Sequence, residues 1–473
     1  MGSLKKNIIY NSAYQILILF IPLITTPYIS RTLGPNGVGE ISYAASVTSY
    51  FALFCMLGVS NYGSRSIAMV RDDKEKMRAE FTDIYSLQFI SSIVVAIAFA
   101  VYIIFWAKEK KLLVIYSFML VSYALDINWF FFGIEQFKVT VIRNTIIRLS
   151  SLICIFIFVH NPDDIFIYGF IVAFSTFLSQ VILWFQLKRF ISPSKINVLR
   201  SFKHLKGMLV LFVPVLAISI YKTMDKVMLG SMISKVELGY YESCEKITHI
   251  PVAIINALGT VMLPRLSNMV ANNEEKDGDK YFEKSVFFAL AVAGSMSFGI
   301  MGAANNFVPM FYGAGYDKCV IIFQFLMPNL VFWAFANVVR TQYLIPKKMD
   351  KVYIISVFTG AIVNFTINFL LIPKMGANGA AIGTTIAEAS VCMVQLASIC
   401  KKKNTYKSII DSLVLVLFSV IMYDAVVRIP FLNGYLFSLF IQVISGAMIF
   451  LTLCVIYIKF RFKKSIKDFL LKR

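Results

Sequence analysis

Apolar runs about 20 residues long, each separated from the next by short polar punctuation, recur from one end of this 473-residue chain to the other. At about 1.5 Å per residue such a run spans a hydrocarbon core about 30 Å thick, so each predicts a membrane-crossing helix. Fourteen are expected, at roughly 8–30, 39–60, 81–106, 112–133, 140–160, 164–187, 207–232, 238–263, 282–306, 319–343, 351–372, 378–400, 408–428 and 435–459. No strand alternation competes with them, so the fold class is an all-α polytopic membrane protein. The start, "MGSLKKNIIYNSAYQILILFIPLITTPYIS", places basic residues before an apolar run, as a signal peptide does. That run is long, carries Pro22 and Pro27 and lacks a small-residue cleavage site, so it reads as the first crossing helix.

Composition agrees with the pattern. The chain is 58% hydrophobic and 15% charged, whereas soluble domains carry roughly a quarter charged residues. A net charge of +20 would suit a nucleic-acid binder, but its distribution points elsewhere. Lys and Arg in and beside the connections number 35 on one side and 8 on the other, with Lys222, Lys226 and Lys246 inside spans. Excess positive charge marks the cytoplasmic side, so both termini are expected there. The seven cysteines form no CxxC pair and mostly fall in apolar runs, as small packing residues do. No HxxE, HExxH, GxSxG or Walker pattern occurs, so neither an enzyme, a metal centre nor a bound cofactor is expected.

The longest connection, "QLKRFISPSKINVLRSFKHLK" (Gln186 to Lys206), is far too short for a soluble catalytic domain. It divides the chain into an expected six-helix bundle at 1–190, a cytoplasmic linker at 191–206 and a second six-helix bundle at 207–403. Two additional transmembrane helices and a basic cytoplasmic tail fill 404–473. "RSIAMVRDDKEK" (Arg65 to Lys76) and "RLSNMVANNEEK" (Arg265 to Lys276) agree at five of twelve positions with an offset of 200. The same offset pairs Val38-Gly39 with Leu238-Gly239. Six helices per half would give both halves one orientation, a parallel repeat about an axis along the membrane normal.

Four stretches carry a family likeness: Pro27 to Ala68, "LDINWFFFGIEQFKVTVIRN" (Leu125 to Asn144), "MDKVMLGSMISKVELGYYESCEKI" (Met224 to Ile247) and "LLIPKMGANGAAIGT" (Leu370 to Thr384). Together they resemble the Wzx-type polysaccharide flippases, which handle O-antigen or capsule repeat units. These belong to the multidrug/oligosaccharidyl-lipid/polysaccharide exporter superfamily. The resemblance implies movement of an undecaprenyl-pyrophosphate-linked oligosaccharide to the outer leaflet of the bacterial cytoplasmic membrane. It further implies two six-helix bundles around a central cavity, working by alternating access, with the polysaccharide polymerase as a candidate partner.

Charges inside the spans are the candidate chemistry, because at mid-helix each costs about 2.5–3.5 kcal/mol on insertion scales. In "SIYKTMDKVMLG" (Ser219 to Gly230), Lys222, Asp225 and Lys226 fall on one helix face. Lys222 lies about 3 Å from the expected midplane and Lys226 about 9 Å towards the outside. The next span carries Glu242, Glu245 and Lys246, with Glu242 at a depth similar to Lys226. These six residues either close a hairpin as ion pairs or serve gating and ion coupling. Glu388, in span twelve beside "GANGAAIGTT", is an isolated acid that fits a proton site or a hydrogen-bonded carboxyl.

Basic residues without a nearby acid suit a diphosphate, which calls for several donors and favours the guanidinium fork. Arg31 ends span one on the outer side, while Arg65 and Arg340 lie at the cytoplasmic side, where they also fit ordinary positive-inside anchoring. Asp126, Asn128 and Trp129, in the inner half of span four, fit either sugar binding or an interfacial aromatic belt. Two other functions compete. A cation-coupled multidrug exporter would want acids in its first spans, where only Glu40 occurs. A membrane polymerase or glycosyltransferase would want a long outer loop, but the longest here is "NFVPMFYGAGYDKC" (Asn306 to Cys319).

The orientation is open to a direct check. A cysteine placed at position 71 or 200 should resist an impermeant maleimide added to intact cells and react once the cells are opened. Labelling of position 200 from outside would reverse the assignment.

Overall fold

Within hydrocarbon no water is available to a backbone amide, so a crossing segment must bond its own N–H and C=O groups. The computed structural model, which describes residues 2–192, 198–400 and 403–462, meets that demand with helices throughout; it contains no strand among the described residues. The stretch 193–197 of the expected linker and the basic end 463–473 lie outside the described residues.

Among the described residues thirteen stretches are long and apolar enough to cross a membrane, and the first, Ile21–Val70, holds the expected span 39–60 with the end of the expected span 8–30. Its helix α1 (Gly2–Met56) is broken at Gly34, whose φ of 67° and ψ of 178° lie outside helical space. Gly34 tolerates that conformation and Pro35 restarts the helix with its φ already set. The two arms of α1 thus cover the first two expected spans, and each of the fourteen has a helix.

Contacts divide the chain into two units, the first ending at Gly239 and the second beginning at Tyr240. The first holds α1, α2 (Val59–Val70), α3 (Lys74–Phe105), α4 (Lys110–Ala124), α5 (Asn128–Gly133), α6 (Phe137–Phe158), α7 (Ile165–Leu187), α8 (Val198–Ser201) and α9 (Leu205–Met232). It also takes the first turn of α10 (Lys235–Ala271). The division falls beyond the connection at 191–206 because α9 packs against α1 and α2. Gly230 lies against the Tyr43 ring and Gly207 against the Tyr62 ring, with no side chain to hold them apart.

The second unit continues with α11 (Glu275–Phe311), α12 (Lys318–Leu326), α13 (Asn329–Val339), α14 (Asp350–Met375) and α15 (Ala377–Ile399). The two additional helices, α16 (Lys403–Val427) and α17 (Tyr435–Phe462), complete it. A π-helical turn, Arg340–Leu344, extends α13. Asp411 of α16, almost fully buried, accepts from Tyr457 (2.6 Å) and Arg461 (3.0 Å) of α17, tying these two helices together at one end. Apolar side chains such as Ile97, Ile362 and Leu451 stand exposed, which in lipid is the favoured arrangement.

The described part of the linker is anchored to the first unit. Asp83 of α3 is 1% exposed and accepts two bonds from Arg200 of α8, at 2.6 and 2.9 Å. Lys203 (3.9 Å) and His204 Nε2 (4.0 Å) approach the same carboxylate. His204 Nδ1 lies 2.9 Å from the Tyr62 hydroxyl of α2. The carboxylate holds the Arg200 guanidinium above its ordinary pKa. At the start of α3, Asp73 caps the helix by accepting from the amides of Glu75 and Lys76, both at 3.1 Å. Those bonds hold its carboxyl below the usual carboxylate range.

The Asp83 cluster is asymmetric, since the acid is buried while Arg200 is 41% exposed. Removing the cation strands a charge away from water; removing the acid frees cations that reach it. Arg200→Gln should therefore lower the melting temperature in detergent more than Asp83→Asn does. The opposite order would show that the carboxylate is not the costly partner.

Candidate functional site

Helices approach one another no closer than their side chains allow, and at one place in the first unit there are none. A Cβ added to Gly39 would overlap the Lys235 carbonyl oxygen and stand 2.9 Å from the Gly239 nitrogen. One added to Gly239 would overlap the Pro35 carbonyl oxygen and stand 3.1 Å from the Gly39 nitrogen. The contact is reciprocal. Pro35 and Lys235, like Gly39 and Gly239, differ by the offset of 200 seen in the sequence. Lys235 reinforces the contact: its Nζ donates to the Gly230 carbonyl at 2.7 Å and stands 3.0 Å from the Tyr43 ring centroid.

Next to this contact, α9 carries the charged face expected of it. Asp225 is buried, Lys226 half-buried and Lys222 exposed. A cavity of about 300 Å³ opens between α9, the second arm of α1, the start of α2 and α4. Its polar lining is made of Ser49, Ser60, Asn61, Tyr123, Ser219 and Thr223, with no charged side chain in the wall. Thr223 follows Lys222 directly. Asn61 and Arg65 are both exposed and lie one helical turn apart on α2. The Arg65 guanidinium carbon is 6.0 Å from the Tyr62 ring centroid.

Arg31 is exposed in the last turn before Gly34. Beside it, the Tyr28 hydroxyl donates to the Val159 carbonyl at 2.5 Å and lies 3.2 Å from His160. The second arm of α1, about 33 Å long at the helical rise, separates this end from Arg65. The structure therefore does not bring these two arginines together.

Asp126, Asn128 and Trp129 belong to a polar network inside the first unit. Asp126 Oδ1 accepts from the Asn128 amide nitrogen (2.8 Å) and its Nδ2 (2.7 Å), bridging the break between α4 and α5. Asn128 Oδ1 accepts from Arg143 of α6 at 3.0 Å, and Arg143 also donates to the Ser179 carbonyl of α7 at 3.1 Å. Gln88 of α3 donates to the Asp126 carbonyl (2.9 Å) and accepts from Trp129 Nε1 (3.1 Å). The Trp129 ring, 1% exposed, stacks on Phe81 at 5.3 Å and is covered by Gly63. It has no open face for a sugar ring, so in this structure it packs rather than binds. Arg143 and Gln88 are the residues that the apolar pattern alone did not single out.

In the second unit, Glu242 pairs within α10 with Lys246, one turn on, at 3.6 Å. Glu245 and, on α15, Glu388 are half-buried. Arg340 opens the π-helical turn and donates to Asn337 at 3.4 Å, its guanidinium 5.7 Å from the Tyr353 centroid. Asn337 in turn donates to Asn256 of α10 at 2.8 Å. Among the described residues no three His, Cys, Asp or Glu side chains gather where they could hold a metal ion.

The chain is similar to the "Putative O-antigen transporter" of Escherichia coli K12, with 26% identity over 406 residues, covering 83% of this chain and 96% of that protein. Its likeness to the protein of the same name from Shigella dysenteriae is 24% identity over 414 residues, 84% of this chain and all of the relative. Among solved structures, the lipid II flippase MurJ in an inward closed conformation superposes with a TM-score of 0.73 at 18% identity. The match covers 96% of this chain and 99% of that one, a likeness of fold. The profile of the family described as "Polysaccharide biosynthesis protein" matches residues 4–270. More than half of the sequence thus carries the pattern, in agreement with the Wzx-type resemblance, and the chain belongs to the polysaccharide biosynthesis protein family.

Proposed function

We propose that this protein is a flippase carrying undecaprenyl-pyrophosphate-linked oligosaccharide repeat units from the inner to the outer leaflet of the bacterial cytoplasmic membrane, for cell-surface polysaccharide synthesis. The relatives named as O-antigen transporters support the class of cargo. The observation that carries the reading is the exposure of Lys222 halfway along α9, beside a hydroxyl-lined cavity. Facing lipid, that ammonium would cost about 2.5–3.5 kcal/mol; facing an anionic headgroup in a wet cavity it is stabilised.

In this reading the substrate meets basic residues in turn. At the cytoplasmic side Arg65 and Arg340 each offer the diphosphate a guanidinium, Lys222 holds it near the midplane and Arg31 releases it outside. Asp126 and Asn128 keep the α4–α5 break in shape through Arg143. Alternating access supplies the movement, and the Gly39–Gly239 contact is its outer-closed state. Asp225, Lys226 and the Glu242–Lys246 pair belong to the gating parts, while Glu245 and Glu388 are the carboxyls able to take up a coupling proton. Both termini face the cytoplasm, and a polymerase receives the flipped repeat unit.

Reconstitution tests this directly: purified protein in liposomes, loaded with the lipid-linked oligosaccharide, with and without imposed pH and sodium gradients. Wild-type protein should move the lipid across the bilayer. Lys222→Met should accumulate normally yet flip at least about tenfold more slowly, the loss of one charge-assisted contact to phosphate. An abundant and fully active Lys222→Met protein would remove this lysine from the pathway.

A further inference from the structure

The cavity beside α9 differs in character from the cations around it. Arg65 stands beyond its α2 wall and Lys222 beside its α9 wall, yet the wall itself presents only hydroxyls, one amide and apolar groups. A diphosphate would find no counter-charge inside. A sugar would find what it needs: neutral groups that both donate and accept, and aromatic edges from Tyr123 and Phe212. The volume of about 300 Å³ is at the lower end of the range for small-molecule pockets, enough for one sugar ring with its substituents.

Spacing supplies the second observation. Asn61 lines the cavity and Arg65 follows it on the same face of α2, with Cβ atoms about 5–6 Å apart for such a pair. Two side chains on one helix face can hold adjoining groups of one ligand, such as a sugar and the phosphate esterified to it. We infer that this cavity is a subsite for the first, uncharged sugar of the lipid-linked chain, with Arg65 on the adjoining phosphate. Asn61, Ser219 and Thr223 select the sugar by hydrogen bonds and Arg65 recognises the headgroup whatever it carries. The inference rests on the flippase reading above and adds a specificity site to it.

Binding measurements in nanodiscs separate the two. The probes are the lipid-linked oligosaccharide fraction purified from the cells that make the protein, undecaprenyl pyrophosphate without sugar, and the free oligosaccharide. Wild-type protein should bind the sugar-bearing lipid about tenfold more tightly than the bare diphosphate, and the free oligosaccharide weakly. Asn61→Leu, exposed and tolerant of replacement, and the double variant Asn61→Leu with Thr223→Val should bring the two lipids to within about twofold of each other. Arg65→Gln should weaken both lipids in parallel and keep their ratio. A wild-type protein that binds both lipids equally, or an Asn61→Leu variant that keeps the tenfold preference, overturns the subsite while leaving the flippase reading intact. A wild-type protein that binds neither lipid overturns both.

Discussion

At Gly39 and Gly239 two backbones meet within the first unit, and the proposed mechanism depends on that contact. Gly39 meets the Lys235 carbonyl and Gly239 the Pro35 carbonyl with no Cβ between them, so this contact leaves no room for a path. Without a hydrophobic effect to press helices together in lipid, small residues and close backbone packing supply the attraction, and glycine permits the nearest distance. Such a contact has little intermediate geometry: it is either made or broken. That property suits the two states of the proposed alternating access.

Around that contact, polar groups are treated in two ways. The Asp126–Asn128–Arg143 chain, the Gln88–Trp129 bond and the Asp83–Arg200 pair are satisfied internally, so removing one partner strands another. They brace helix breaks and the linker. Arg31, Arg65 and Lys222 are instead exposed. In a membrane protein, exposure of a charge within a span implies a surface that lipid does not cover. Exposure in or beside a span marks these three as the candidate substrate path.

Much of the fold was legible from the spacing of apolar runs, because the hydrocarbon thickness dictates helix length. The pairing of Gly39 with Gly239 was also visible, as a repeat offset, though nothing in the sequence states that equivalent residues touch. Arg143 was hidden for a physical reason: near the inner end of its span it looks like one more positive-inside anchor, and only packing shows it 5% exposed and bonded to three neighbours. Trp129 reads equally as a sugar platform, an interfacial belt residue or a buried ring, and its neighbours Phe81 and Gly63 decide the matter. The cavity at Asn61 was illegible because its wall of serines, a threonine, a tyrosine and one asparagine is dispersed over four helices and carries no charge to draw the eye.

The central claim is that the Gly39–Gly239 contact closes and opens during transport. Spin labels at positions 36 and 236, on either side of it, measure this in reconstituted protein by pulsed dipolar spectroscopy. A single short distance is expected without substrate, and a second, longer population should appear when the lipid-linked oligosaccharide is added. Leucine at positions 39 and 239 should shift the whole distribution to the longer distance. A short distance that persists with substrate, in protein that is flipping it, would contradict the account.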